Sequence, residues 1–298
     1  MEPRPRISIM FQMNRVVDLH CHSRHSDGSL SVGDLIALAK SRGVSLISLT
    51  DHDEVAGIAE AREQTAAINL AFVPGVEISS EWRDMSIHIL GLRIDENEPT
   101  LTTLLSNIRK TRNARAQRMG DAFAAVGLPG VLAGAAAYAQ NPELISRTHF
   151  ARHLVDTGVC GSMGEVFSRY MKPGKPGFVA QEWVPMQAAV DSIHAAGGRA
   201  VLAHPARYET QFLGGPSTLL KCFADAGGDG VEVVCASHNP PEWAQYAALA
   251  RRFNLLASIG SDFHSPMESR VKFGDLPRLS PNLKPVWHDW PEAECLYA

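Results

Sequence analysis

The chain has no apolar run of 18 or more residues, so no segment reads as a bilayer-spanning helix and a membrane partner is not expected. Its opening, MEPRPRISIMFQMNR, lacks both a sustained apolar stretch and a small-residue cleavage signal, so a secretory leader is not expected. Cysteine is sparse. Cys21, Cys160, Cys222, Cys235 and Cys295 show no CxxC spacing, and their odd number points to free thiols in a reducing, cytoplasmic compartment. Excess positive charge is also missing: 28 Lys and Arg against 32 Asp and Glu leave a formal charge of -4. That balance excludes a basic nucleic-acid coat and argues against DNA as a partner, although a local cationic channel stays compatible with it. Internal repeats and coiled-coil heptads are absent. With 298 residues, 45% of them hydrophobic, the chain suits one large α/β domain or two smaller ones.

Periodicity organises what is there. VVDL (16–19), SLISLT (45–50), LAFVPGVEI (70–78), SIHILGL (86–92), VLAH (201–204), GVEVV (230–234) and LLASIG (255–260) read as seven strands. Helical spacing returns at 32–43 and 55–69 and between the later strands, while the first 13 or so residues read as an irregular lead-in. This alternation predicts a parallel-rich α/β sheet or closed barrel. Residues 99–180 read almost wholly as helix, too long for one crossover, and the turn-rich KPGKPG (172–177) marks the return to the core. The expected organisation is a barrel from 14–98 and 181–298 with an inserted helical lid at 99–180.

Histidine is abundant, at twelve residues, and several histidines stand beside carboxylates where strands end. DLHCHSRHSDG (18–28) sets His20 and His22 two apart, so extended geometry points both rings to one side, and Asp27 follows in the loop. TDHD (50–53) supplies His52 flanked by Asp51 and Asp53, either of which could orient its second ring nitrogen. Further along, PGVE ends in Glu77, His88 sits inside an apolar run where it needs a partner, AHP gives His204, and GSDFH gives Asp262 and His264. The carboxyl ends of strands are where sheets and barrels of this class assemble sites from several loops. Six imidazoles and three carboxylates exceed the needs of one or two ions that must also bind water or substrate, so three divalent ions are expected. Such ions outweigh three carboxylates and leave a pocket that attracts phosphate.

Through DLHCHSRHSDG, TDHD, PGVE, His88, AHP and GSDFH the chain resembles the PHP family of metal-dependent phosphoesterases, the polymerase and histidinol phosphatase family. RTHFARHLV, GKPGFV and IHAAGGRAVLAHPARY extend the likeness to the nucleotide-acting branch and to nearly all of the chain after residue 15. The resemblance implies a distorted (β/α)7 barrel. It also implies one ion on His20, His22, Glu77 and Asp262, a second on Glu77, His88 and His204, and a third on Asp27, His52 and His264. Many family members carry histidine where this chain has Asp27, which lowers the positive charge of the third site. Mixed carboxylate and imidazole ligation favours manganese and admits iron or zinc. Arg147 and His149 in SRTHF resemble the branch's substrate-phosphate contacts, with His149 a hydrogen-bond donor or the acid for the leaving oxygen, beside Asp262 and His264 in the catalytic set. Lys172 and Lys175 are further candidates for a non-scissile phosphate. Arg112 and Arg115, three apart in RKTRNARAQR (109–118), could contact an RNA backbone or simply form a solvated helix face.

The implied activity is removal of the 3′-phosphate from nucleoside 3′,5′-bisphosphates. The alternatives are 5′-to-3′ exoribonuclease action on short RNA, another phosphomonoesterase such as histidinol phosphatase, and a non-catalytic metal-binding scaffold. Oligomeric state is not legible.

Overall fold

The computed structural model describes residues 15–180 and 183–297. The lead-in at 1–13 and residue 181, where the expected barrel resumes, lie outside the described residues. In chain order the elements are β1 (Val16–Asp18), α1 (Val32–Ser41), β2 (Val44–Leu49), α2 (Ile58–Ala67), β3 (Ala71–Trp82) and β4 (Met85–Leu92). Then come α3 (Pro99–Ala125), α4 (Val131–Ala136), α5 (Arg147–Asp156), α6 (Met163–Val166), β5 (Val184–Pro185) and α7 (Met186–Ala195). The chain closes with β6 (Arg199–Leu202), α8 (Gly215–Asp225), β7 (Gly230–Cys235), α9 (Pro240–Arg252) and β8 (Leu256–Gly260). Each of the seven expected strands coincides with one of these, and the eighth, β5, is a two-residue strand beside β3.

Local sequence explains the element boundaries. Ser31 caps α1 by accepting the Asp34 N–H, and Gly43 at φ 80° turns the chain into β2. Asn239 and Glu242 form a capping box on α9, with Pro240 in the first turn and Arg251 and Arg252 in the last.

The sheet order is β1-β2-β3-β4-β6-β7-β8. Neighbours are parallel except at β4, which runs antiparallel to both β3 and β6. Arg83 and Asp84 make the two-residue turn between β3 and β4 with φ 51° and 62°, the left-handed conformation of a tight hairpin. The ends of the sheet meet: Leu19 N donates to Ile259 O at 3.0 Å, Asp262 N to His20 O at 2.9 Å and His22 N to Phe263 O at 2.9 Å. These bonds curl the sheet into a distorted barrel, the form the resemblance implies. Leu46, Val73, Ile89, Val201 and Val231 belong to its buried apolar core. Helices α3 to α6 pack around a second apolar cluster that includes Phe123, Phe150 and Tyr170. Among the described residues no helix is long and apolar enough to cross a membrane.

Candidate metal centre

Closure between β1 and β8 sets the DLHCH segment against GSDFH, and the barrel brings the remaining motifs to the same end. His88 arrives differently from the motifs that stand where strands end. It lies early in β4, opposite Ser79, and reaches the site because that strand runs antiparallel. Gly28 lets the Asp27 loop fold back: a Cβ there would stand 2.3 Å from the His22 carbonyl oxygen. His204 and Asp262 both occupy the left-handed region, at φ 30° and 52°. Such strain in side-chain-bearing residues gathers where function over-determines the backbone.

Glu77 is fully buried at the centre. Its Oε1 lies 3.3 Å from His20 Nε2, 2.8 Å from His88 Nδ1 and 2.9 Å from His204 Nε2. Its Oε2 lies 3.3 Å from His22 Nε2 and 2.8 Å from His52 Nδ1. Asp262 Oδ1 stands 3.4 Å from His20 Nε2 and 3.3 Å from His22 Nε2, and Asp27 Oδ1 stands 3.2 Å from His264 Nε2. Three groups have donor atoms mutually within 4.8 Å: His20, His22, Glu77 and Asp262; His22, Asp27, His52 and His264; and His52, Glu77 and His88. The first is the expected quartet. In the second, His22 joins Asp27, His52 and His264. The third pairs Glu77 and His88 with His52, while His204 meets the same Glu77 Oε1 that His88 does, the two rings 5.2 Å apart.

The donor set fits divalent cations. A bond of roughly 2.1 Å places neighbouring ligand atoms about 3.0 Å apart in octahedral and about 3.4 Å apart in tetrahedral surroundings, the spacing seen around Glu77 and Asp262. His20 Nε2, His22 Nε2, Asp27 Oδ1, His52 Nδ1, Glu77 Oε2 and His204 Nδ1 are buried without a hydrogen-bond partner among the described residues. Buried polar atoms rarely stay unmatched, so this concentration marks a site for ions. Burial opposes the Glu77 carboxylate, but His52, His88 and His20 outweigh it and hold it well below the ordinary range. Burial likewise opposes His22 as a cation, yet Asp262 and Glu77 lift it to about 10; for His204, burial and then Arg207 push it down to about 3.

The flanking aspartates do not orient His52. Its Nδ1 already faces Glu77, and the alternation of the chain sends Asp51 and Asp53 elsewhere. Asp51 accepts from Ser23 N at 2.8 Å, Ser23 Oγ at 2.6 Å and Ser26 Oγ, bracing the His22 loop. Asp53 accepts from Ser79 N at 2.7 Å and pairs with Arg112 Nε at 2.6 Å. Arg112 is therefore buried against the barrel, neither on a solvated face nor turned to a ligand, because Asp53 and Ser79 Oγ take up its guanidinium. Cys21 donates to Ser48 O, away from the ligands.

Above the cluster, α5 begins with Ser146, which caps it, and with His149, whose Nδ1 accepts the Ser146 N–H at 3.1 Å. Ser146 Oγ also reaches Asp27 Oδ2 at 3.2 Å, tying this turn to the metal centre. His149 is fully buried, burial pushes it down to about 4, and its Nε2 has no partner among the described residues. It stands as a neutral ring with Nε2–H free to donate. Arg147 lies over the Phe167 ring at 5.8 Å, and desolvation, followed by Arg112 and Arg207, lowers its pKa. Burial and then Arg147, Arg112 and Arg118 pull Arg115 down to about 9. Lys172 and Lys175 stand exposed on the KPGKPG turn, and neither ammonium has an ion pair or hydrogen bond among the described residues.

Two residues escaped sequence reasoning. Glu232 is buried inside β7 and contacts both His20 and His204; a glutamate within GVEVV was the available signal, since a carboxyl in a buried run needs partners. Arg207 Nη1 bonds Asp262 Oδ2 at 2.6 Å, and nothing in AHPARY marks that pairing.

The PHP domain family model matches residues 18–198, so the chain belongs to the PHP family, whose fold and clustered metal-binding donors define a metal-dependent phosphoesterase. It is 44% identical over 275 residues to the 3′,5′-nucleoside bisphosphate phosphatase of Chromobacterium violaceum, covering 92% of this chain and 95% of that one. It is 40% identical over 283 residues to the 5′-3′ exoribonuclease Rnm of Escherichia coli, covering 94% and 95%. Among solved structures, an amidohydrolase from Chromobacterium violaceum with bound sulfate and no metal superposes with a TM-score of 0.88 at 44% identity, covering 94% of this chain and 96% of that one.

Proposed function

We propose that this chain removes the 3′-phosphate from nucleoside 3′,5′-bisphosphates such as adenosine 3′,5′-bisphosphate, giving the 5′-monophosphate and inorganic phosphate. The observation that carries the reading is the pairing of two anion-seeking features: the Glu77-centred cluster, and the guanidiniums of Arg115 and Arg147, which burial and then neighbouring arginines disfavour as cations. A substrate with two phosphates satisfies both. The phosphatase and exoribonuclease activities named for the relatives support a nucleotide or RNA substrate.

Three manganese ions fit the reading, with Glu77 shared. His20, His22 and Asp262 would hold one, His88 with His52 or His204 would hold another, and Asp27, His264 and His52 would hold the third. Bound there, such ions supply Lewis-acid neutralisation of phosphate oxygens and make water a competent nucleophile near neutral pH. The chain does the rest. Arg147 grips a phosphate in bidentate fashion. Neutral His149 donates from Nε2 to a phosphate oxygen or the departing hydroxyl oxygen. His264 keeps Nε2 on Asp27 because its Nδ1 is 2.9 Å from the Asp262 carbonyl oxygen. Arg207 holds Asp262 Oδ2, leaving Oδ1 to the His20 and His22 pair. Lys172 and Lys175, on the exposed turn, are placed to meet the second phosphate only if that turn folds over the ligand. Helices α3 to α6 act as the lid of an inserted subdomain. A cytoplasmic location accords with thiols that are unpaired among the described residues.

The test is phosphate release with manganese from adenosine 3′,5′-bisphosphate, histidinol phosphate and a 5′-phosphorylated oligoribonucleotide at matched concentrations. Fastest turnover of the bisphosphate is expected. Preference for histidinol phosphate, or no turnover of any of them, sinks the reading. Stepwise mononucleotide release from the oligoribonucleotide at higher kcat/KM favours the second reading, a 5′-to-3′ exoribonuclease, which the Escherichia coli relative and the Arg115 and Arg147 patch make the main rival.

A further inference from the structure

The carboxylate of Glu232 belongs to none of the three donor groups, yet it touches two residues, His20 and His204, whose rings both meet Glu77 Oε1. It is fully buried on β7. Its Oε1 lies 2.9 Å from His20 Nδ1, and its Oε2 accepts the His204 backbone N–H at 2.6 Å. The ring of His20 meanwhile points Nε2 at Glu77 and Asp262, and that of His204 points Nε2 at Glu77. His204 sits at φ 30° and ψ 54°, a conformation that must be held from outside. Room for the pair is made by Gly260: a Cβ there would stand 2.2 Å from His20 Cβ and 2.6 Å from Glu232 Oε1.

We propose that Glu232 is a positioning residue that sets the tautomer of His20 and the backbone of His204 through one carboxylate, coupling two imidazoles that meet at Glu77 Oε1. By accepting at Nδ1, it keeps the ring proton there and leaves the Nε2 lone pair free for a cation. A carboxylate histidine partner fixes both ring orientation and ligand basicity in this way. The inference rests on the metal reading of the cluster and is independent of the substrate.

The chemistry of the amide isostere isolates the role. The His204 N–H can only donate, so in Glu232→Gln the amide oxygen must face it. The amide nitrogen then faces His20 Nδ1 and can only donate to it. The His20 proton moves to Nε2, and that atom no longer offers a lone pair, although size and hydrogen-bond count are preserved.

The experiment titrates metal-free wild type, E232Q and His20→Asn with manganese, and with cobalt(II) as an absorption probe, beside the thermal midpoint of each metal-free protein. The expected result is that E232Q weakens one ion by about 10- to 100-fold and alters the cobalt spectrum, with a metal-free midpoint close to wild type. Wild-type affinity and spectrum in E232Q, with an ion lost in H20N, overturn the role of Glu232 alone. Retention of every ion in H20N overturns the metal reading and the proposal with it. Should E232Q fail to fold, imidazole nitrogen–proton correlation spectra of the zinc-loaded wild type decide the matter. A proton on His20 Nδ1, identified by its loss in H20N, supports the proposal, and a proton on Nε2 overturns it.

Discussion

His149 illustrates how one side chain serves both helix and site. The same Nδ1 that completes the α5 capping box leaves the proton on Nε2, which has no partner among the described residues. With burial holding the ring near 4, the role proposed for it is that of a hydrogen-bond donor across neutral pH and not of an acid. His149→Ala should therefore lower bisphosphate turnover by about 100-fold while leaving the shape of the pH–rate profile unchanged, which steady-state kinetics from pH 5.5 to 9 checks. Disappearance of a limb of that profile would mean the ring transfers a proton. The depressed value also has a stability consequence. The unfolded ring takes its proton near 6.5, before the folded one does, so the contribution is present above pH 6.5 and is lost as pH falls towards 4. Its size is on the order of 3 kcal/mol. The gap in urea stability between metal-free wild type and His149→Gln should narrow by that order between pH 7 and pH 4.5. The helical face carrying His149 was readable from SRTHF; its protonation state was not, because burial by other segments sets it.

Helices α3 to α5 are held to the barrel by polar ties as well as by apolar contact. Arg112 joins α3 to Asp53, Arg109 Nη1 donates to Asp53 O at 2.9 Å, Asn141 bonds Glu54 Oε2 at 2.8 Å, and Arg152 on α5 makes a two-bond pair with Glu268. Asp53 is fully buried, so Arg112→Met strands a charge and should cost about 3–5 kcal/mol in urea unfolding. Adding Asp53→Asn should restore part of the loss, and a double variant no more stable than R112M would show that the ion pair is not the cause. The helix itself was plain from periodicity. Which way its arginines face was not, because a charged stripe looks alike whether water or a buried aspartate receives it. The same limit hid the direction of β4. Its apolar run reads as a strand, but the Arg83–Asp84 turn carries none of the Asn-Gly or Asp-Gly chemistry that announces a tight hairpin.

At the scale of the molecule, the barrel's core is apolar and continuous, so the fold should survive loss of its ions while the activity does not. Stripping with a chelator should abolish phosphate release, lower the thermal midpoint and leave the far-ultraviolet circular dichroism near that of the loaded protein. Manganese should restore both activity and midpoint, each ion contributing about 2.7 kcal/mol when present at 100 times its dissociation constant. Elemental analysis of the reloaded protein should give about three ions per chain. A protein that unfolds on stripping would mean the ions are structural.

The sequence by itself determined the alternation of strands and helices, the helix caps, and the residue types that gather round Glu77, because hydrophobic period and local side-chain chemistry act within a few residues. The tertiary structure alone decided which donors share a centre and which charges are paired. Spacing says which side of a strand His20 faces, but barrel closure sets it against Asp262 and Glu232, more than two hundred residues away. Only there do burial and neighbouring charge decide what each group can hold.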